Sequence, residues 1–251
     1  MSCNDNSLDG KVALITGSAK RLGAHTARAL HAAGMDVIIH YRRSREPAQA
    51  LLDELNACRL DSAFAVAGDL AETARIPDLV EQAAAWRNRL DLLVNNASSF
   101  YPTPIGGVDE AQWDDLMGSN LKGPFFLSQA IAPWLKETRG NIVNMVDIHG
   151  LRPLEEHPVY SMAKAGNAMM VKALARELGP EIRVNGVAPG AILWPAQGLD
   201  DATRHEILNR TALKTTGSPD DIAQTILFLV RDAGYITGQV INVDGGRTTQ
   251  Q

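Results

Sequence analysis

The chain has 251 residues, 45 % of them hydrophobic, which fits one large α/β domain or two small ones and is enough to bury a sizeable core. No apolar run reaches the roughly 20 residues a bilayer span needs, Met1 to Gly10 lacks the apolar stretch of a secretory signal, and Cys3 and Cys58 are too few for a disulfide framework, so a cytoplasmic location without membrane attachment is expected. A formal net charge of −5 with no long block of like charge offers no basic face, which excludes nucleic acid as an expected partner.

A short apolar run followed by a helical pattern recurs along the chain. Val12 to Thr16 reads as a strand and Leu22 to Ala33 as a helix. Asp36 to Tyr41 is a second strand, Glu46 to Ala57 a helix and Ala63 to Ala67 a third strand. Ala74 to Trp86 is helical, and Leu90 to Val94 is a fourth strand. Glu110 to Leu135 reads as one long helix and Asn141 to Val146 as the fifth strand. Val159 to Leu178 is a second long helix, Ile182 to Val187 a sixth strand, Asp220 to Val230 a helix and Gln239 to Val243 a seventh strand. The strands are rich in Val, Ile and Leu without polar alternation, as a parallel sheet covered on both faces requires. Strand and helix alternating with right-handed crossovers give a doubly wound seven-stranded Rossmann sheet in one domain, 1–251. Ligands of such sheets lie beyond the carboxyl ends of the strands, so functional residues are expected just after each strand.

After the first strand comes Thr16-Gly17-Ser18-Ala19-Lys20-Arg21-Leu22-Gly23. Glycines there allow a tight turn and close backbone approach, and the helix that opens offers free N–H groups to a pyrophosphate. The bland alternative is an ordinary strand-to-helix turn. After the second strand stands His40-Tyr41-Arg42-Arg43-Ser44, two arginines and a serine with no acid. That chemistry suits a 2′-phosphate and hence NADPH rather than NADH, against the alternative of a solvated basic turn. Asp36 lies about twenty residues past the glycine turn, but it begins its strand and so sits at the wrong edge of the sheet. Tyr160 and Lys164 stand four apart and share a helical face. An ammonium beside a phenol is expected to lower its pKa from near 10 and make it a usable proton relay. Asp147 and His149 lack further ligands at useful spacing, so no metal is expected. His25 and His31 are expected to be surface or packing residues.

These motifs, in this order from about Lys11 to about Arg247, resemble the short-chain dehydrogenase/reductase family. The resemblance implies that Gly17, Leu22 and Gly23 cradle the cofactor and that Asp69-Leu70 contact adenine. It further implies that Asn96-Ala97-Ser98 and Pro189-Gly190 flank the nicotinamide, and that Tyr160, Lys164 and Asn120 are catalytic. Lys164 also holds the ribose. Asp244-Gly245-Gly246 resembles the family's C-terminal turn, and a structural role is expected for it. Four departures from the general pattern resemble the pteridine reductases within that family. Arg21 stands where the middle glycine is usual. Ser98 replaces a glycine and is followed by Ser99-Phe100-Tyr101-Pro102-Thr103-Pro104. Asp147 takes the place of the usual serine.

In that subgroup the residue matching Phe100 stacks on a pterin, Ser98 and Arg21 orient it, and Asp147 with Tyr160 delivers a proton to a ring nitrogen. Tyr41 with Arg42, Arg43 and Ser44 matches the subgroup's phosphate loop. The resemblance thus implies a homotetrameric, NADPH-dependent reductase of a pterin or folate, with the two long helices as interface elements. Ala191 to Thr216 lacks a strong period and reads as a substrate lid, with Trp194 either a wall of the site or a loop anchor. Two other readings stay open: a carbonyl or 3-oxoacyl reductase of the same family, and a non-catalytic NADP(H)-binding sensor.

Overall fold

The computed structural model describes residues 7–194, 198 and 200–249. Cys3 and most of the Met1 to Gly10 stretch lie outside the described residues, as do residues 195–197 and 199 of the expected lid. Seven parallel strands form one sheet: β1 (Val12–Ile15), β2 (Asp36–Tyr41), β3 (Ala63–Ala67), β4 (Leu92–Asn95), β5 (Asn141–Met145), β6 (Arg183–Pro189) and β7 (Val240–Val243). Their order is β3-β2-β1-β4-β5-β6-β7. The chain winds outward from β1 to β3, then returns to lay β4 against the other side of β1, pairing Leu14 with Ile38 and with Leu93. The order of winding reverses between β1 and β4, and it is there that a crevice opens beyond the strand ends.

Successive residues of β1 point to opposite faces, and both faces are apolar. Ala13 and Ile15 pack into one core with α1 (Arg21–Ala32), α2 (Arg45–Cys58) and α8 (Pro219–Arg231). Val12 and Leu14 pack into the other with α3 (Ile76–Ala85), α5 (Gly123–Thr138) and α6 (Pro158–Leu178). Period-2 side-chain direction therefore turns an uninterrupted apolar run into a strand covered on both sides. Each fully buried Leu or Ile contributes about 2 kcal/mol. Asp36, at the start of β2, pairs with Arg87 at 2.8 Å and Arg59 at 3.4 Å, a purely structural use at the edge away from the crevice. His31 is buried with Nε2 2.6 Å from the Ser62 hydroxyl, while His25 is exposed. The Asp244 carboxylate accepts from the Gly246 and Thr248 amides and so shapes the C-terminal turn.

Two expected elements differ. The single helix from Glu110 to Leu135 is α4 (Glu110–Met117), a π-helical turn at Gly118–Lys122, then α5 running to Thr138. A π turn inserts one residue and keeps the chain helical, so the apolar pattern runs on across it although Gly118 opens the turn and Gly123-Pro124 follow it. The aperiodic segment from 191 to 216 contains α7 (Asp201–Asn209), started by the Asp200 carboxylate accepting from the Thr203 amide at 2.8 Å. This helix buries none of its residues, so it had no apolar stripe to show. No helix among the described residues is long and apolar enough to cross a membrane.

Candidate active site

A cleft of about 550 Å³ opens beyond the carboxyl ends of the strands. Gly17, at φ +60°, turns the chain after β1, and a Cβ there would stand 2.9 Å from the Ala97 Cα. A Cβ on Gly23 would stand 2.6 Å from the Asn96 amide nitrogen and 2.7 Å from the Gly17 carbonyl oxygen. The Asn96 side chain donates to Thr16 O at 2.8 Å and Gly17 O at 3.2 Å, which ties this loop to the end of β4. α1 begins at Arg21 with no side chain capping its first amides. The result is a backbone cradle with open N–H groups at a positive helix end, which fits a pyrophosphate. Arg21 takes the middle-glycine position with φ +51°, a conformation glycine adopts freely and other residues do not. Its guanidinium donates to Trp194 O at 3.5 Å.

Tyr41, Arg42, Arg43 and Ser44 line the cleft past β2, and Asp69 and Leu70 line it past β3. The two arginines are not equivalent. Arg42 lies 3.6 Å from the Asp69 carboxylate and 3.9 Å from that of Asp115. Arg43 is exposed and forms no ion pair among the described residues. His40 lies buried behind them. Its Nδ1 accepts from the Gly17 amide at 3.2 Å, and Nε2 is 3.2 Å from the Gly68 carbonyl oxygen. Burial pushes its pKa down to about 4, so the ring is neutral and Nε2 carries the proton.

At the far end Asp147, Tyr160 and Lys164 converge. The Tyr160 hydroxyl donates to Asp147 Oδ2 at 2.7 Å, while Asp147 Oδ1 accepts from the His149 amide at 2.8 Å. One carboxylate thus closes a turn and holds the phenol, and His149 contributes its backbone. Tyr160 is 4 % and Lys164 3 % exposed. Burial and then the Asp147 charge push the phenol well above its ordinary value, against an opposing contact from the Ser98 hydroxyl. The expected lowering by Lys164 does not occur. The ammonium donates instead to Met145 O at 2.8 Å and lies 5.6 Å from the Tyr160 ring centroid. Burial brings the lysine down to about 8, partly offset by Asp147. Tyr160 is therefore a neutral hydrogen-bond donor, not a phenolate.

Phe100 lines the cleft half exposed, with its edge against Tyr160 at 4.8 Å between centroids and 76° between planes. His157 stacks on it at 4.8 Å and 13°. Ser98 donates to Asn120 Oδ1 at 2.7 Å. Asn120 is 1 % exposed and stands behind the cleft rather than in its wall. Pro189 and Gly190 also line the cleft. Trp194 is half-buried outside the wall, its ring 5.8 Å from the Arg204 guanidinium carbon. Sequence reasoning gave no role to His40, Asp115, Ser119, His157 or Asn167. His40 and Asn144 did carry a signal: each is a polar side chain inside an apolar strand, which must find a buried partner.

Residues 17–248 match the family model described as "Enoyl-(Acyl carrier protein) reductase". Pteridine reductase 1 of Leishmania tarentolae is 37 % identical, with 94 % of this chain and 95 % of that protein covered. The 3-oxoacyl-[acyl-carrier-protein] reductase FabG of Staphylococcus epidermidis is 35 % identical, covering 94 % and 98 %. The (2S)-[(R)-hydroxy(phenyl)methyl]succinyl-CoA dehydrogenase subunit BbsD of Thauera aromatica is 38 % identical, covering 96 % and 98 %.

Proposed function

This chain belongs to the short-chain dehydrogenase/reductase family, and on that premise we propose that it is an NADPH-dependent pteridine reductase acting on a C=N bond of a pterin, dihydropterin or dihydrofolate. The observation that carries the reading is the 2.7 Å hydrogen bond from the Tyr160 phenol to the Asp147 carboxylate. A carboxylate repels the oxygen of a ketone but accepts from, or shares a proton with, the N–H and amino groups of a pterin edge. A phenol held neutral is a proton donor, which suits reduction.

Bound NADPH would supply the hydride. Gly17, Arg21, Leu22 and Gly23 would hold its pyrophosphate, and Tyr41, Arg42, Arg43 and Ser44 its 2′-phosphate. Asp69 and Leu70 would meet the adenine. Asn96, Ala97, Ser98, Pro189 and Gly190 would flank the nicotinamide, with Lys164 at its ribose. Phe100 offers a ring face on which a flat heteroaromatic stacks, Arg21 and Ser98 orient the substrate, and Asp147 anchors a ring nitrogen. Tyr160 passes its proton to that nitrogen, and Lys164 and Asn120 support the transfer. A cytoplasmic homotetramer fits this assignment.

A second reading, reduction of a carbonyl or 3-oxoacyl group, is favoured by the FabG relatives and weighed against by Asp147 in the serine's place. Following NADPH oxidation with a panel of pterins, folates and ketones separates the two. The pterin reading expects turnover of dihydropterins or dihydrofolate, lost by at least about a hundredfold in Tyr160→Phe. Turnover of ketones alone would end it.

A further inference from the structure

Beneath the cleft a row of buried asparagines crosses from the sheet to the π turn. The Asn95 amide donates to Asn144 Oδ1 at 2.9 Å, Asn144 donates to Asn167 Oδ1 at 3.0 Å, and Asn167 donates to the backbone carbonyl of Asn120 at 2.8 Å. All four are at most 2 % exposed. The last acceptor is a carbonyl, which cannot donate, and it fixes the direction of every amide behind it. Asn120 in turn donates to Ser99 O and Leu116 O, each at 3.0 Å, and accepts from Ser98.

A π turn leaves backbone carbonyls without their usual helical donors, and in a buried place each must find another. Here the turn spans Gly118–Lys122, and Asn167 supplies the donor to its central residue. α6 comes close enough for this because residue 166 is glycine, where a Cβ would stand 2.8 Å from a Leu121 methyl carbon. Lys164 lies one turn earlier on the same helix, so α6 carries both the buried ammonium and the amide that fixes the turn facing it.

We infer that Asn167 is a positioning residue of the reductase site. Its amide holds the π turn so that Asn120 grips the Ser98–Ser99 segment beside Tyr160 and Lys164. The inference rests on the reading of this cleft as a reductase site but not on the pterin. Its assay is therefore run with whichever acceptor the wild type reduces, and backbone amide exchange is followed without any substrate.

Two variants test it. Asn167→Leu removes both hydrogen bonds. Asn167→Asp keeps the acceptor for Asn144 and loses the donor when ionised, but regains it when protonated. The ionisable groups around position 167 are Lys164 and Tyr160 on α6, Asp147 past β5 and Lys122 in the turn. Asn167→Leu is expected to lower kcat by roughly tenfold or more, to leave the KM for NADPH within about twofold, and to speed exchange in residues 118–123. Asn167→Asp is expected to be impaired at pH 8 and to recover toward wild type as the pH falls to 6. Wild-type kcat in Asn167→Leu overturns the inference. Should that variant not fold, an Asn167→Asp profile parallel to wild type does the same. Absence of pterin turnover alongside these effects would remove the substrate assignment only.

Discussion

His40 ties the turn after β1 to the end of β3, accepting from Gly17 and donating to Gly68. That arrangement needs the neutral ring, and burial holds the pKa near 4 against an ordinary 6.5. The folded state therefore resists a proton that the unfolded chain accepts. No stability is lost above pH 6.5. Between pH 6.5 and about 4 it declines by up to 1.36 kcal/mol per pH unit, about 3 kcal/mol in all, and the loss is complete below the folded-state value. Urea unfolding at pH 7.5, 6 and 5 should show this slope in wild type and a shallower one in His40→Gln, which cannot titrate; equal slopes would assign the acid sensitivity to other groups. Arg21 is the opposite case. Its left-handed backbone costs about 1–2 kcal/mol relative to a relaxed conformation, a cost that the proposed contacts of its guanidinium with the pyrophosphate and the substrate would offset.

The segment after β2 works as an element because α2 starts immediately behind it at Arg45 and fixes where its arginines stand. Arg42 is already shared between Asp69 and Asp115, so the exposed Arg43 is the side chain free to answer a 2′-phosphate. Arg43→Asp should raise the KM for NADPH by roughly ten- to a hundredfold, the worth of one charge-assisted hydrogen bond. It should change the KM for NADH by less than about threefold. Steady-state assays with both cofactors decide this, and equal effects would show that the loop does not read the phosphate. Position after a strand made the glycine turn and the arginines legible, the four-residue spacing put Tyr160 and Lys164 on one helical face, and the family resemblance singled out Asp147. The contacts that orient them did not. Asn167 is one polar residue on a long helix, and nothing in its spacing shows that its amide meets a carbonyl of another element. The direction of the Tyr160 shift was likewise hidden, because it depends on depth of burial and on Lys164 turning to Met145. α7 was missed for lack of a buried stripe; the π turn was missed because the apolar pattern continues across it, although Gly118 and Gly123-Pro124 bracket it.

At the scale of the molecule, the apolar strands gave the doubly wound sheet directly, since only a sheet covered on both faces tolerates them. The outer surfaces of α5 and α6 do not share that logic. Phe125 is 41 % and Met169 61 % exposed. Together with Met117, Leu121, Phe126 and Ala173 they line an apolar groove of about 420 Å³ on the side away from the cleft. Contiguous apolar surface of this kind is costly in water and marks a contact surface. In the proposed homotetramer a second copy of the chain would bring the same two helices to it about a two-fold axis, a self-complementary arrangement that needs no other partner. This face would then serve one of the tetramer's contacts. Light scattering of the wild type should give four times the 27.1 kDa subunit mass. Met169→Glu places a charge where the copies meet, and burying it unpaired would cost several kcal/mol. The variant should therefore fall to half that mass or less, and its unfolding midpoint should depend less on protein concentration than that of the wild type. A wild type that scatters as a monomer would leave these helices exposed and the tetramer without a contact.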